Sequence, residues 1–177
     1  MTEHRDEQLI LRDAVIHRVS ERLGNGDISG DLIRQAYGDA LDDQPSLGEI
    51  FRADIVATVD RDPATSRCLE PVLYYKGFHA IQTHRLAHWL YGKGRKDFAL
   101  YLQSRSSAVF QCDINPAARI GRGIFLDHAT GLVVGLRLSE PAPASAALRY
   151  GVGADPNCNM VDSEDFALPV TGPIHLD

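Results

Sequence analysis

Aspartate and histidine stand side by side at Asp127-His128, just before Gly131, where a side chain at a corner of the backbone can point outward. Neutral imidazole is the natural general base near neutral pH. It works best when a carboxylate fixes its tautomer and stabilises the imidazolium. Asp113, fifteen residues before His128, is a candidate for that carboxylate. His84 and His88 form a second arrangement, an i, i+4 pair that could ligate a metal on a helix. They lack the adjacent glutamate of a zinc-protease motif and any clear third ligand. No metal site is therefore expected, and His79, His84, His88 and Trp89 are expected to pack between helices with satisfied nitrogens. Lys76-Gly77 lies in an apolar helical segment, where the glycine is expected to let another backbone approach.

The backbone that presents Asp127-His128 has an unusual period. Ile114, Ile120, Leu126, Leu132 and Leu138 recur every six residues, joined by Gly121, Gly123, Gly131 and Gly135. An α-helix turns the sixth residue onto another face, and a strand has period two. A triangular parallel β-helix satisfies the spacing: each six-residue unit is a short strand and a corner, and three units make a coil. By this count residues 114 to 131 form one full coil and Leu132 begins a second. Asp113 is a little under one coil before His128, on a neighbouring layer. The hexad stops after Leu138, since Glu140-Pro-Ala-Pro-Ala-Ser offers no aliphatic at 144, and residues 139–177 are expected to form an irregular or disordered tail.

Upstream, the pattern is helical. Leu11, Val15, Val19 and Leu23 fall four apart in a segment from Gln8 to Leu23, stopped by Gly24-Asn-Gly26. Asp31 to Leu41 is similar. Pro45-Ser46 opens a third helix in which Ser46 is expected to cap with Glu49, and Ile50, Ile55, Val56 and Val59 to form the apolar face. Arg61-Asp62-Pro63 closes it, because a residue before proline is pushed out of the helical region. One apolar helix is expected from Pro71 to Gly92-Lys-Gly94, and another from Arg95 to about Phe110. The expected architecture is α+β: an all-α N-terminal domain over residues 1–111, the start of a parallel β-helix over 112–138, and the tail over 139–177.

The chain has 177 residues, 44% hydrophobic and 24% charged, with a formal net charge of −6. That length suits one domain or two small ones. No Lys/Arg-dense segment recommends nucleic acid or an anionic membrane surface. No apolar run is long enough for a signal peptide or membrane span, so a cytoplasmic protein is expected. Cys68, Cys112 and Cys158 are odd in number and without a CxxC, and are expected to be buried reduced thiols.

Three stretches carry a resemblance to a known family: Asp62-Pro63-Ala64, Tyr74 to Trp89 (Tyr-Tyr-Lys-Gly-Phe-His-Ala-Ile-Gln-Thr-His-Arg-Leu-Ala-His-Trp), and Phe110 to Gly135, which includes Leu-Asp-His-Ala-Thr-Gly. They resemble the serine O-acetyltransferases of cysteine biosynthesis, over roughly residues 31 to 135. The resemblance implies an α-helical domain followed by a left-handed parallel β-helix of hexapeptide repeats. It implies transfer of an acetyl group from acetyl-CoA, a co-substrate, to the hydroxyl of L-serine, with no tightly bound cofactor. His128 matches the family's general base, Asp113 its carboxylate partner, and Asp62 and Asp127 the carboxylates that hold the serine. A homo-oligomer is implied, a trimer or a dimer of trimers. The family's further coils, with a second active-site histidine, have no counterpart after Gly135, and Ile174-His-Leu-Asp177 differs from tails that dock into O-acetylserine sulfhydrylase. The alternative expectation is therefore a truncated, catalytically weak or inactive remnant that acts as an oligomerisation or interaction module.

Overall fold

Apolar residues four apart build the first layers. In α1 (Thr2–Leu23), Val15, Val19 and Leu23 are fully buried, and the helix begins six residues earlier than the apolar pattern does. α2 (Gly30–Asp43) packs Ile33, Ala36, Tyr37 and Ala40 inward. Its first turn is capped by the Ser29 hydroxyl, which accepts from the Leu32 amide, an arrangement typically worth about 1 kcal/mol. The computed structural model describes residues 2–137 and 147–151, with side chains described over residues 10–135. Among the described residues, six helices precede three strands.

α3 (Leu47–Arg61) buries Leu47, Phe51, Asp54, Ile55 and Thr58. This corrects the expected face: Val56 is exposed and Ile50 and Val59 are only half-buried. Ser46 sits in helical backbone geometry and makes no side-chain cap, so the expected box with Glu49 does not form. The single helix expected from Pro71 is two. α4 (Leu69–Tyr74) and α5 (Lys76–Gly92) are separated by Tyr75, whose φ of −86° and ψ of 111° are extended. The break redirects the chain so that α5 runs through the middle of the molecule, buried all round from Gly77 to Ala87. A helix without a polar face has no amphipathic stripe to read. At 17 residues it is about 26 Å long. α6 (Lys96–Phe110) ends at Gln111, in left-handed geometry with φ of 61°, and the chain turns straight into β1 (Cys112–Ile114).

β1 pairs in parallel with β2 (Leu132–Arg137), Cys112 opposite Leu132 and Ile114 opposite Val134. One turn of chain therefore takes 20 residues, two more than three hexads. The extra length is used at the corner before β2, where His128, Ala129 and Gly131 all have positive φ (36°, 52° and 80°). Two residues is an even slip, so the side chains keep their faces: Ile114, Leu126 and Leu132 are buried, with Cys112, Ala118, Ile124 and Val134. Ile120 is only partly buried; Leu138 lies outside the described residues. Within the tail expected to be irregular, Ala147–Gly151 forms β3, antiparallel to β2. An open edge of β2 leaves unpaired amides and carbonyls, and β3 supplies partners for them. The rest of the expected tail, Cys158 included, lies outside the described residues. Cys112 is buried as expected, but Cys68 is exposed, in the turn that leads into α4.

Candidate active site at the α4–α5 junction

α5 and the turn of chain between β1 and β2 run past each other in opposite directions. His88 Nδ1 lies 2.7 Å from the Pro116 carbonyl oxygen, and Arg85 donates to the carbonyls of Ile120 and Gly121 at 2.8 and 2.5 Å. Gly77 abuts Leu126, and the Lys76 ammonium bonds the Thr130 hydroxyl and, at 3.1 Å, the Gln111 side-chain oxygen. The glycine reading of Gly77 holds: a β-carbon there would lie 2.1 Å from the Leu126 carbonyl oxygen.

A buried ion pair fastens the middle of this contact. Asp54 of α3 is fully buried and Arg85 nearly so. Both oxygens of Asp54 accept from Arg85, at 3.0 to 3.2 Å. Asp54 also accepts from Gln82 (3.1 Å) and from the Ile124 amide (2.9 Å), which ties the carboxylate to the turn itself. The sequence reading missed this pair. Its signal was the spacing of Leu47, Phe51, Asp54 and Thr58, one helical stripe with a carboxylate in it.

Of the α5 histidines, His79 is satisfied on both sides, with Nε2 2.7 Å from the Val72 carbonyl and Nδ1 3.4 Å from an Arg22 nitrogen. His88 is exposed rather than packed. His84 corrects the expectation of satisfied nitrogens: its buried Nδ1 has no partner among the described residues. Burial pushes the imidazole of His79 down to about 4 and that of His84 down to about 3, with Arg22 and Arg18 acting in the same direction on the first and Arg85 and His88 on the second. Both are lowered in the folded state, so the unfolded chain binds the extra protons. Stability is complete above about pH 6.5 and falls as pH drops toward 4, by up to about 1.4 kcal/mol per pH unit for each histidine. Urea midpoints should fall steadily from pH 7 to pH 4, and His84→Leu should make that slope shallower.

Of the four residues singled out for chemistry, Asp62 and the Asp127-His128 pair meet the α4–α5 junction, while Asp113 lies under α6. Asp62 ends α3; its carboxylate accepts from the Ala64 amide at 2.9 Å and the Thr65 hydroxyl at 2.6 Å, and Thr65 bonds the Tyr75 hydroxyl at 2.7 Å. Arg61 beside it donates to the Gly123 carbonyl at 2.7 Å. Asp127 follows the Leu126 carbonyl that presses on Gly77. His128 Nε2 lies 3.6 Å from Asp127 Oδ1, with 84% of the His128 side chain exposed. The His128 and Ala129 backbones occupy a left-handed region that costs roughly 1–2 kcal/mol for residues with a β-carbon. Such strain persists where surrounding contacts hold it and clusters at functional sites; here the Lys76–Thr130 bond and the Gly131 amide bond to Gln111 (2.9 Å) flank the corner.

Asp113 lies in β1 opposite Val133, which is 50% exposed, so this face of the sheet opens to solvent on the side opposite buried Cys112 and Ile114. Its Oδ1 accepts from Gln103 Nε2 at 2.5 Å. Among the described residues no hydrogen bond or ion pair joins Asp113 to His128, or Asp62 to Asp127. A separate open groove of about 940 Å³, lined by Leu11, Val15, Phe51, Ile55, Arg61 and Gly123 among others, includes none of the four. Among the described residues, no group of three or more His, Cys, Asp or Glu side chains is placed to hold a metal, and no helix is long and apolar enough to cross a membrane.

Fold and site together define a helical domain that carries the beginning of a parallel strand coil and presents an acid–imidazole corner where the two meet. Residues 3–83 match the family model described as "Serine acetyltransferase, N-terminal". The serine acetyltransferase of Salmonella typhimurium is 44% identical over 125 residues, which cover 71% of this chain and 46% of that protein. The structure of serine acetyltransferase from Brucella abortus in complex with coenzyme A is 64% identical, with a TM-score of 0.69 over 70% of this chain and 50% of that one. That of Neisseria gonorrhoeae serine acetyltransferase in complex with serine is 44% identical, with a TM-score of 0.69 over 71% of this chain and 52% of that one. The chain belongs to the serine acetyltransferase family, and it spans about half the length of the relatives it matches.

Proposed function

We propose that this protein is a serine O-acetyltransferase, which moves the acetyl group of acetyl-CoA to the hydroxyl of L-serine to give O-acetylserine for cysteine biosynthesis. The turn between β1 and β2 is the first coil of a left-handed parallel β-helix; residues 1–111, 112–138 and 139–177 are its helical, coil and tail parts. The functional form is a homo-oligomer, a trimer or a dimer of trimers. The observation that carries the reading is the strained Asp127-His128 corner, clamped against the same α4–α5 junction that anchors Asp62. Relatives solved with coenzyme A and with serine support the two substrates.

The chemistry follows from the residue types. L-Serine brings an ammonium that needs negative partners, and Asp62 and Asp127 supply them. His128 accepts the hydroxyl proton as the serine oxygen attacks the thioester carbonyl. The tetrahedral intermediate then collapses, the carbon–sulfur bond breaks, and the departing thiolate takes the proton from the imidazolium. Asp113 stabilises that imidazolium, and no covalent enzyme intermediate is needed.

Serine binding is the step this half of the family architecture supports most directly. Titration calorimetry should detect L-serine binding to the unsubstituted chain. Asp127→Asn should weaken it by about 2–3 kcal/mol, the scale of a hydrogen bond to a charged group, and Asp62→Asn similarly. Binding unchanged in both variants would remove the assigned roles of these carboxylates.

A further inference from the structure

Asp113 needs something to hold its carboxylate in the plane that the imidazole requires. A carboxylate on a short side chain has a broad, nearly two-fold torsion about its last bond, and Asp113 stands on a solvent-open face. α6 folds back over β1 because Gln111 turns the chain in left-handed geometry. Gln103, Ser106 and Phe110 share one face of that helix by their i, i+3, i+7 spacing. Phe110 is buried, the Ser106 hydroxyl donates to the Cys112 carbonyl at 3.0 Å, and the Gln103 amide donates to Asp113 Oδ1 at 2.5 Å. The helix thus grips the strand backbone through one residue and the carboxylate through another.

We propose that Gln103 is a positioning residue for the Asp113–His128 pair: its amide fixes one carboxylate oxygen and leaves Oδ2 to accept from the His128 ring. This rests on the acetyltransferase reading above. An amide suits the task chemically. It donates a hydrogen bond without adding charge, so Asp113 keeps the full negative charge that stabilises an imidazolium. A lysine or arginine in its place would hold the carboxylate and also cancel much of that charge. Gln103 touches no substrate in this scheme and acts only through Asp113.

The test uses the full chain and two variants, Gln103→Leu, which removes the donor, and Gln103→Glu, which keeps the size and replaces the donor with a like charge. Ring-nitrogen NMR of ¹⁵N-histidine-labelled protein should show His128 as one tautomer in the unsubstituted chain, and as an average of two in both variants and in Asp113→Asn. For serine-dependent thiol release from acetyl-CoA, kcat should fall about 10–100-fold in both variants, the usual effect of removing a partner behind a functional side chain, with KM for serine unchanged. Adding Gln103→Leu to Asp113→Asn should cost nothing further, because residues that act through one group are not additive. Ring-nitrogen spectra identical in the unsubstituted and Gln103→Leu chains overturn the proposal, as does a full additional loss in the double variant. Absence of serine-dependent release from the unsubstituted chain defeats the acetyltransferase reading instead, and the ring spectra still decide the role of Gln103.

Discussion

Asp54→Ala should cost about 3–5 kcal/mol of folding stability, because it strands a buried guanidinium without its carboxylate. Arg85 is nearly buried and bonds Asp54 through its Nε and one terminal nitrogen. The variant also orphans one Gln82 donor and the Ile124 amide. Domains of this kind are stable by only about 5–15 kcal/mol in total, so the urea midpoint should drop by a large fraction. The effect should be specific to breaking the pair. Asp54→Leu combined with Arg85→Met, which replaces both charges with apolar side chains, should recover the share of the loss that comes from the stranded charge, while the Gln82 donor and the Ile124 amide stay without their acceptor. An Asp54→Ala midpoint within about 0.5 kcal/mol of the unsubstituted chain, the scale of an ordinary surface change, would show that the pair does not fasten α3 and α5 to the coil.

Gly77→Ala sets two effects of opposite sign against each other. Alanine in a helix interior is favoured over glycine by up to about 1 kcal/mol. The new β-carbon, however, would lie 2.1 Å from the Leu126 oxygen and 3.0 Å from its carbonyl carbon, and both are backbone atoms that cannot rotate away. Either α5 or the Asp127-His128 corner must move by about an ångström, and overpacking of this kind typically costs about 1–3 kcal/mol or more. The clash should win. The denaturation midpoint should fall, and L-serine binding should fall with it, because the displaced corner carries Asp127. A raised midpoint, the outcome helix propensity alone predicts, would mean that the corner does not press on α5.

Much of this was legible in the order of residues, for identifiable reasons. Val15, Val19 and Leu23 each serve one helix face, so their spacing reports their burial. The hexad announced a coil because an interior aliphatic must return once per side, and the alternating burial of Cys112, Ile114 and Ala118 follows it. The coil length was not legible. The two added residues sit in a corner where left-handed backbone at His128 and Ala129, not side-chain pattern, sets the path. The break at Tyr75 was hidden for a related cause: the apolar run continues across it, and what accompanies the break is the approach of Leu126 to Gly77 and the hydrogen bond between the Tyr75 and Thr65 hydroxyls. Asp54 and Arg85 were not singled out, because a single residue type cannot reveal a partner 31 positions away. Asp127-His128 stood out by type and spacing, while the support from Lys76, Thr130 and Gln103 became visible only once distant segments were brought together.

Thiol release from acetyl-CoA, followed with and without L-serine on the purified chain and its His128→Ala variant, tests the account most directly. The account predicts release that depends on serine and falls about 10²–10⁴-fold in His128→Ala, the usual contribution of a general base. Serine-independent release, or equal rates in the two proteins, would contradict it.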